Sequence, residues 1–179
     1  MVLAATGDVV AQTPGAGRSP VPQAGTERPA YRLVEPLSRV RFEVPADWQE
    51  HRQENDVTYS PRGADYRSKA FTYGVRVFVA DGDRPDVVSR LENLMRSYSR
   101  TNPRMRAVGP YQVEPGLDRA SVDYSNVPQD DPASRETGWV LVVRLTTGRM
   151  VGVLAVMPEA ERARNAATLS RIRASLQVQ

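Results

Sequence analysis

The chain lacks cysteine, has one histidine and one lysine in 179 residues, and contains no apolar run near the ~20 residues a membrane-spanning helix needs. Without cysteine there are no disulfides, thiol nucleophiles, zinc–thiolate sites or iron–sulfur clusters. The single histidine, His51, excludes any site built on two imidazoles of this chain. Charge of one sign is also scarce: 24 basic against 21 acidic side chains leave a net +3. That balance is too small to act as an electrostatic funnel for nucleic acid. The basic side chains are Lys69 and 23 arginines, a skew that implies no mechanism by itself. With 40% hydrophobic and 25% charged residues the composition is that of a globular protein, and the length suits one domain plus a tail.

The tail is N-terminal. Residues 11–30 hold four Pro, three Gly and four Ala, with Val21 the only larger aliphatic. Such a stretch buries too little apolar surface to offset its ordering entropy, so residues 1–35 are expected to form an extended arm. The arm's three acids (Asp8, Glu27, Glu35) and three bases (Arg18, Arg28, Arg32) sum to zero, which leaves the +3 on residues 36–179. Its opening has no basic n-region, and Asp8 interrupts a short apolar run, so it reads poorly as an export signal.

Strand signals begin at Arg39, where Val40, Phe42 and Val44 alternate with charged residues up to Pro45. Val57–Ser60 and Gly74–Ala80 read as further strands, the latter with Val75, Val77 and Val79 on one face. Asp83 as N-cap and Pro85 in the first turn set up a helix carrying Val88, Leu91, Met95 and Tyr98, closed by Asn102-Pro103. A strand through Ala107–Val113 is expected to break at Gly109-Pro110, and Ala120, Val122 and Tyr124 alternate in the next. After a polar loop at 126–137, strands 138–146 and 149–156 are apolar on both faces and demand cover on both. Pro158-Glu159 opens a last helix whose Asn165, Leu169, Ile172 and Leu176 share a face. The order predicts an α+β fold: a mainly antiparallel sheet sandwiched between helices.

Few residues suggest chemistry. Residues 81–86 hold three Asp, but a calcium loop needs Gly at the sixth position and Glu at the twelfth as part of its full ligand set. Here the sixth is Asp86, the twelfth is Glu92, and Pro85 lies between, so helix capping explains the cluster better. Asp130-Asp131 lies among prolines and reads as a solvated turn. His51 reads as a surface histidine, Trp48 and Trp139 as core. The arginines at 162, 164, 171 and 173 read as a solvated helix face.

The segment Phe42-Glu43-Val44-Pro45-Ala46-Asp47-Trp48 resembles the opening strand of the PsbP-like family. The remainder agrees in order over residues 36–179: an extended region, a helix ending in Asn-Pro, a central hairpin with a Gly turn, and a last helix finishing in Ser175-Leu176. Locally, Asn55–Pro61 and Phe71–Val75 are similar to a domain appended C-terminally to some bacterial HExxH zinc metallopeptidases. Their catalytic helix is absent here, so only the non-catalytic domain carries over. The PsbP-like resemblance implies a PsbP-like α/β/α sandwich used for binding. It further implies a non-enzymatic, extrinsic accessory subunit, without cofactor or metal, docked on a larger membrane-bound complex such as a photosynthetic one. The expected partners are protein subunits rather than nucleic acid or a second copy. The arm supplies the expected contact residues Arg18, Val21, Arg28, Tyr31 and Arg32. The expected location is the membrane periphery on the cytoplasmic side, or the periplasm if a signal precedes the chain. The alternative is a small-ligand or peptide-binding domain like the peptidase appendage.

Overall fold

The hairpin that needs cover on both faces forms as expected. In the computed structural model, which describes residues 30–37, 39–63, 73–81, 86–127 and 135–179, it lies near the middle of a seven-stranded sheet. The strands are β1 (Tyr31–Leu37), β2 (Val40–Pro45), β3 (Gln49–Arg52), β4 (Asp56–Ser60), β5 (Gly74–Val79), β6 (Arg106–Glu114), β7 (Arg119–Asn126), β8 (Glu136–Arg144), β9 (Met150–Pro158) and β10 (Gln177–Val178). The helices are α1 (Val87–Thr101) and α2 (Arg162–Ser175). The large sheet has the order β3-β4-β5-β9-β8-β7-β6, and a small sheet the order β1-β2-β10; all pairings are antiparallel.

Alternation along β8 sorts the core into two. Trp139, Leu141 and Val143 face a cluster that includes Tyr59, Val75, Val77 and Val153 of the same sheet. It is closed from above by Val40, Phe42 and Val44 of β2 and by Leu169 and Ile172 of α2. Val140 and Val142 point the other way, to Ala120, Val122 and Tyr124 and to Val87, Leu91 and Met95 of α1. The three helical residues recur at four-residue spacing, so a single stripe seats α1 on the sheet. Trp48 and Trp139 are both core, as expected.

Several boundaries move. Residues 31–35, expected in the arm, belong to β1, because Tyr31 to Val34 pair in register with Pro45 to Phe42. The helix cap is Asp86, which accepts the Ser89 N–H at 2.8 Å. The expected cap Asp83, Pro85 and Asp130-Asp131 lie outside the described residues. Gly109-Pro110 does not end its strand; β6 runs through it with a register shift between Val108 and Gln112. The last helix starts later than Pro158-Glu159: Glu159 and Glu161 occupy a 3₁₀ turn just before α2. α2 also shares its layer with the small sheet: Ser175 Oγ accepts the Glu43 N–H at 2.9 Å, and β10 pairs beside it with Arg41 and Val40. The edge of β2 is thereby covered.

Arg162 and Arg164 of α2 are exposed as expected, but Arg171 and Arg173 are more than a solvated face. Arg171 pairs with Glu43 at 2.8 Å, with its guanidinium 3.9 Å from the centre of the Tyr31 ring. Arg173, whose side chain is only 24% exposed, donates to Asp123 (3.0 Å), Gln112 (2.7 Å) and Ser121 (2.6 Å) and lies 5.8 Å from the centre of the Trp139 ring. It ties the last helix to β6 and β7.

Two glycines on the α1 side of the sheet make room for aromatic rings, with different tolerances. A Cβ on Gly152 would fall 2.4 Å from Cζ of Phe78, the free end of a side chain. One on Gly138 would fall 1.9 Å from the Ala155 carbonyl oxygen, which is backbone. Both Gly→Ala substitutions are expected to destabilise by about 1–3 kcal/mol in denaturant titrations, Gly138→Ala at the upper end. Phe78→Leu is expected to recover part of the Gly152→Ala loss in a double-mutant cycle, whereas Tyr124→Phe recovers none of the Gly138→Ala loss.

Candidate docking face along the β6 edge

The large sheet ends in two unlike strands. β3 is four residues long, and its sequence Gln-Glu-His-Arg is polar throughout. Short, charged strands are the usual guard on an open edge. β6 is nine residues long and largely exposed on both faces. Among the described residues four large hydrophobics are exposed, and three belong to β6 or the turn after it: Val108 (53%), Val113 (47%) and Leu117 (58%), against Leu33 (60%) elsewhere. Val108 stands opposite Asp123 and Val113 opposite Ala120, so the two valines flank the edge on its α2 and α1 faces, and a partner that wraps the edge meets both.

The guard on β6 is of another kind. Gly109 adopts φ +81°, and Pro110 has no N–H to offer, so the ladder is interrupted at mid-strand. A second strand cannot zip along this edge, so a partner must be engaged mainly through side chains.

Concavities adjoin the edge on two sides. Between α1 and β6 lies a groove of about 460 Å³, with the buried Met95 and Met105 at its floor and Arg96, Arg106 and Tyr111 around them. A cleft of about 730 Å³ opens where Leu117 meets the β8–β9 turn and the C-terminal Leu176 and Val178. In that cleft Asp118 sits at φ +42°, a left-handed conformation that Asp accepts more readily than most side chains, with Arg144 holding it there. The Arg144 Nε donates to the Asp118 carboxylate at 2.6 Å, and the Arg144 N–H to its carbonyl at 3.1 Å. Arg119 and Glu114 pair in fork geometry across the turn, so the charges of this cleft are matched internally.

The expected contact residues do not converge on this face. Arg18, Val21 and Arg28 lie outside the described residues. Tyr31 and Arg32 are half-buried in β1, where Tyr31 stacks under Arg171 and Arg32 donates to the Trp48 carbonyl at 3.1 Å. His51, expected at the surface, is half-buried in β3 opposite Thr58. Among the described residues no three His, Asp or Glu side chains stand close enough to hold a metal ion, and no helix is long and apolar enough to cross a membrane.

A signal for this edge is present in the sequence, though not as a linear motif. Between Glu92 and Glu114 there is no acidic residue, yet four arginines occur at 96, 100, 104 and 106. A chain-wide balance of +3 averages that stretch away.

Comparison with known proteins bears on the fold. No protein-family model matches this chain, and no curated protein matches it in sequence. Solved structures do match. The Saccharomyces cerevisiae Ran-binding protein Mog1p superposes with a TM-score of 0.59 at 15% identity, covering 84% of this chain and 96% of Mog1p. Cyanobacterial PsbP (CyanoP) from Synechocystis sp. PCC 6803 superposes with a TM-score of 0.62 at 10% identity, covering 87% of this chain and 96% of CyanoP. This chain has a PsbP/Mog1-like fold. The resemblance of residues 36–179 to the PsbP-like family therefore holds at the level of architecture.

One buried carboxyl sits away from the docking face. Glu136, at the start of β8, is held by Asn126 Nδ2 at 3.0 Å, and burial pushes its pKa up, an effect that this bond partly offsets. The folded state therefore holds the Glu136 proton more tightly than the unfolded chain. Its contribution to stability is complete below the unfolded value of 4.5 and is lost as pH rises through the folded one. Glu136→Gln keeps the acceptor without the charge and is expected to raise the melting temperature at pH 7, with the gain vanishing below the unfolded value of 4.5.

Proposed function

We propose that this protein is a non-catalytic, protein-binding accessory domain that docks on a larger assembly by its β6 edge, with the N-terminal arm as a second contact. The observation that carries the reading is the gathering of Val108, Val113 and Leu117 on one edge strand and the turn that follows it. In the free protein about half of each of these residues meets water, and covering it by a partner would contribute roughly 1 kcal/mol each. A fold shared with the Ran-binding protein Mog1p supports a binding role, and the resemblance to PsbP-like extrinsic subunits supports an assembly that is membrane-bound, with this chain at its periphery. In the arm, Arg18, Val21 and Arg28 remain the proposed contacts; Tyr31 and Arg32 serve the same contact by anchoring the arm's end in the small sheet.

A photoreactive amino acid placed at Val108, Leu117 or, as control, the exposed Glu54 beside β3 tests this in cells that naturally make the protein. Val108 and Leu117 are expected to yield the same cross-linked polypeptide in the membrane fraction, and Glu54 far less of it. Removing residues 1–29 is expected to weaken recovery without abolishing it. Equal yields from all three positions, or none, would overturn docking on β6; adducts found only in the cytosolic fraction would overturn the membrane-bound assembly.

A further inference from the structure

Arginine is the main cation of this surface, and about half of the described arginines are neutralised in place. Nine ion pairs among the described residues each use an arginine. Of the described arginines without an ion pair, four lie close together: Arg96, Arg100, Arg104 and Arg106 pair with no carboxylate among the described residues. Arg96 and Arg100 stand one turn apart on α1 and are both exposed. Arg104 lies in the turn after the helix, and Arg106 opens β6. The Arg106 guanidinium is fixed by hydrogen bonds to the carbonyls of Pro103 and Met105. The last carbonyls of α1 present only about half a negative charge here, which Arg100 in the last turn already offsets.

Two of these charges rim a groove with an apolar floor. Arg96 and Arg106 rim the space of about 460 Å³ above Met95 and Met105, and Tyr111 forms part of its wall. Methionine floors are deformable and polarisable, so they accept apolar side chains of several shapes. Guanidinium groups at the rim suit carboxylates, which they bind in a two-pronged way.

We infer that the α1–β6 groove takes an acidic peptide segment of the partner, with an apolar side chain seated on Met95 and Met105 and carboxylates on Arg96, Arg100 and Arg106. This rests on the docking reading above and names the chemistry of the partner. Charge complementarity selects the occupant: among the described lining residues Arg96 and Arg106 outnumber the one acid, Glu92, and the exposed Arg100 follows Arg96 by one helical turn. A trough between a helix and an edge strand admits a narrow chain better than the plane of a bilayer. Among the described residues Tyr111 is the only aromatic on the groove, too few to stack the successive bases of a nucleic acid strand.

The test uses the full-length protein and a fluorescein-labelled peptide with a Leu-Phe centre flanked by Asp and Glu. Its counterpart has Asn and Gln at the acidic positions. Fluorescence anisotropy is expected to show saturable binding of the acidic peptide that weakens as NaCl is raised, with far weaker binding of the amide counterpart. Arg96→Glu/Arg100→Glu, on exposed helix positions, is expected to weaken binding about tenfold with an unchanged circular-dichroism melt. Should that variant not fold, Arg96→Gln/Arg100→Gln is expected to act in the same direction. Equal affinity for the two peptides, or no effect of the arginine substitutions, would overturn the inference. So would tighter binding to phosphatidylglycerol-containing vesicles or to single-stranded RNA than to the acidic peptide. Cross-links from Val108 without acidic-peptide binding would sink this inference alone and leave docking on β6 standing; absence of both would remove both.

Discussion

The hairpin of β8 and β9 is the constraint on which the molecule turns. Each strand is apolar on both faces, so neither face tolerates water and each must be roofed. The two roofs are built differently. On one side a single helix, α1, suffices, because Val87, Leu91 and Met95 form one stripe over β7 and β8. On the other side α2 is too narrow to cover the sheet alone, and β1 with β2 completes the layer through Val34, Val40, Phe42 and Val44. The small sheet thus supplies the part of this roof that α2 leaves open.

That arrangement also decides where the surface is left open. Strands added outward from the hairpin end at β3 on one side and β6 on the other. β3 closes its edge with charge. β6 interrupts its ladder with Gly109-Pro110 instead and keeps its valines outward. An edge guarded in this way resists promiscuous strand pairing while still offering apolar side chains to a shaped partner. The cations beside it then set which shapes and charges are admitted.

Much of this was legible in the residues. The both-face apolar runs of β8 and β9, the alternation in β2, β5 and β7, and the helical stripe of α1 each follow from one periodicity, and each placed its element. β3 and β10 were not legible, because Gln49–Arg52 shows no apolar alternation and Gln177–Val178 is two residues long; both exist only through their ladders with β4 and β2. β1 was hidden by its position beside the Pro/Gly arm, although its pairing with β2 fixes it. The basic groove escaped notice for a different reason: its two walls are a helix end and a strand start, joined across Pro103, and no linear pattern expresses their closeness.

Arg173 adds a mechanical consequence. An edge strand is held by one ladder only and is ordinarily the first to fray. Here the guanidinium of a helix in the opposite layer grips Gln112 of β6 and Asp123 of β7 together, like a clamp set across a seam. A load applied to the edge by a tethered neighbour is therefore shared with α2 and, through Ser175 and Glu43, with the small sheet beyond it. The margin that meets the outside is braced from behind, so a tug there is resisted by the whole slab rather than by a single strand.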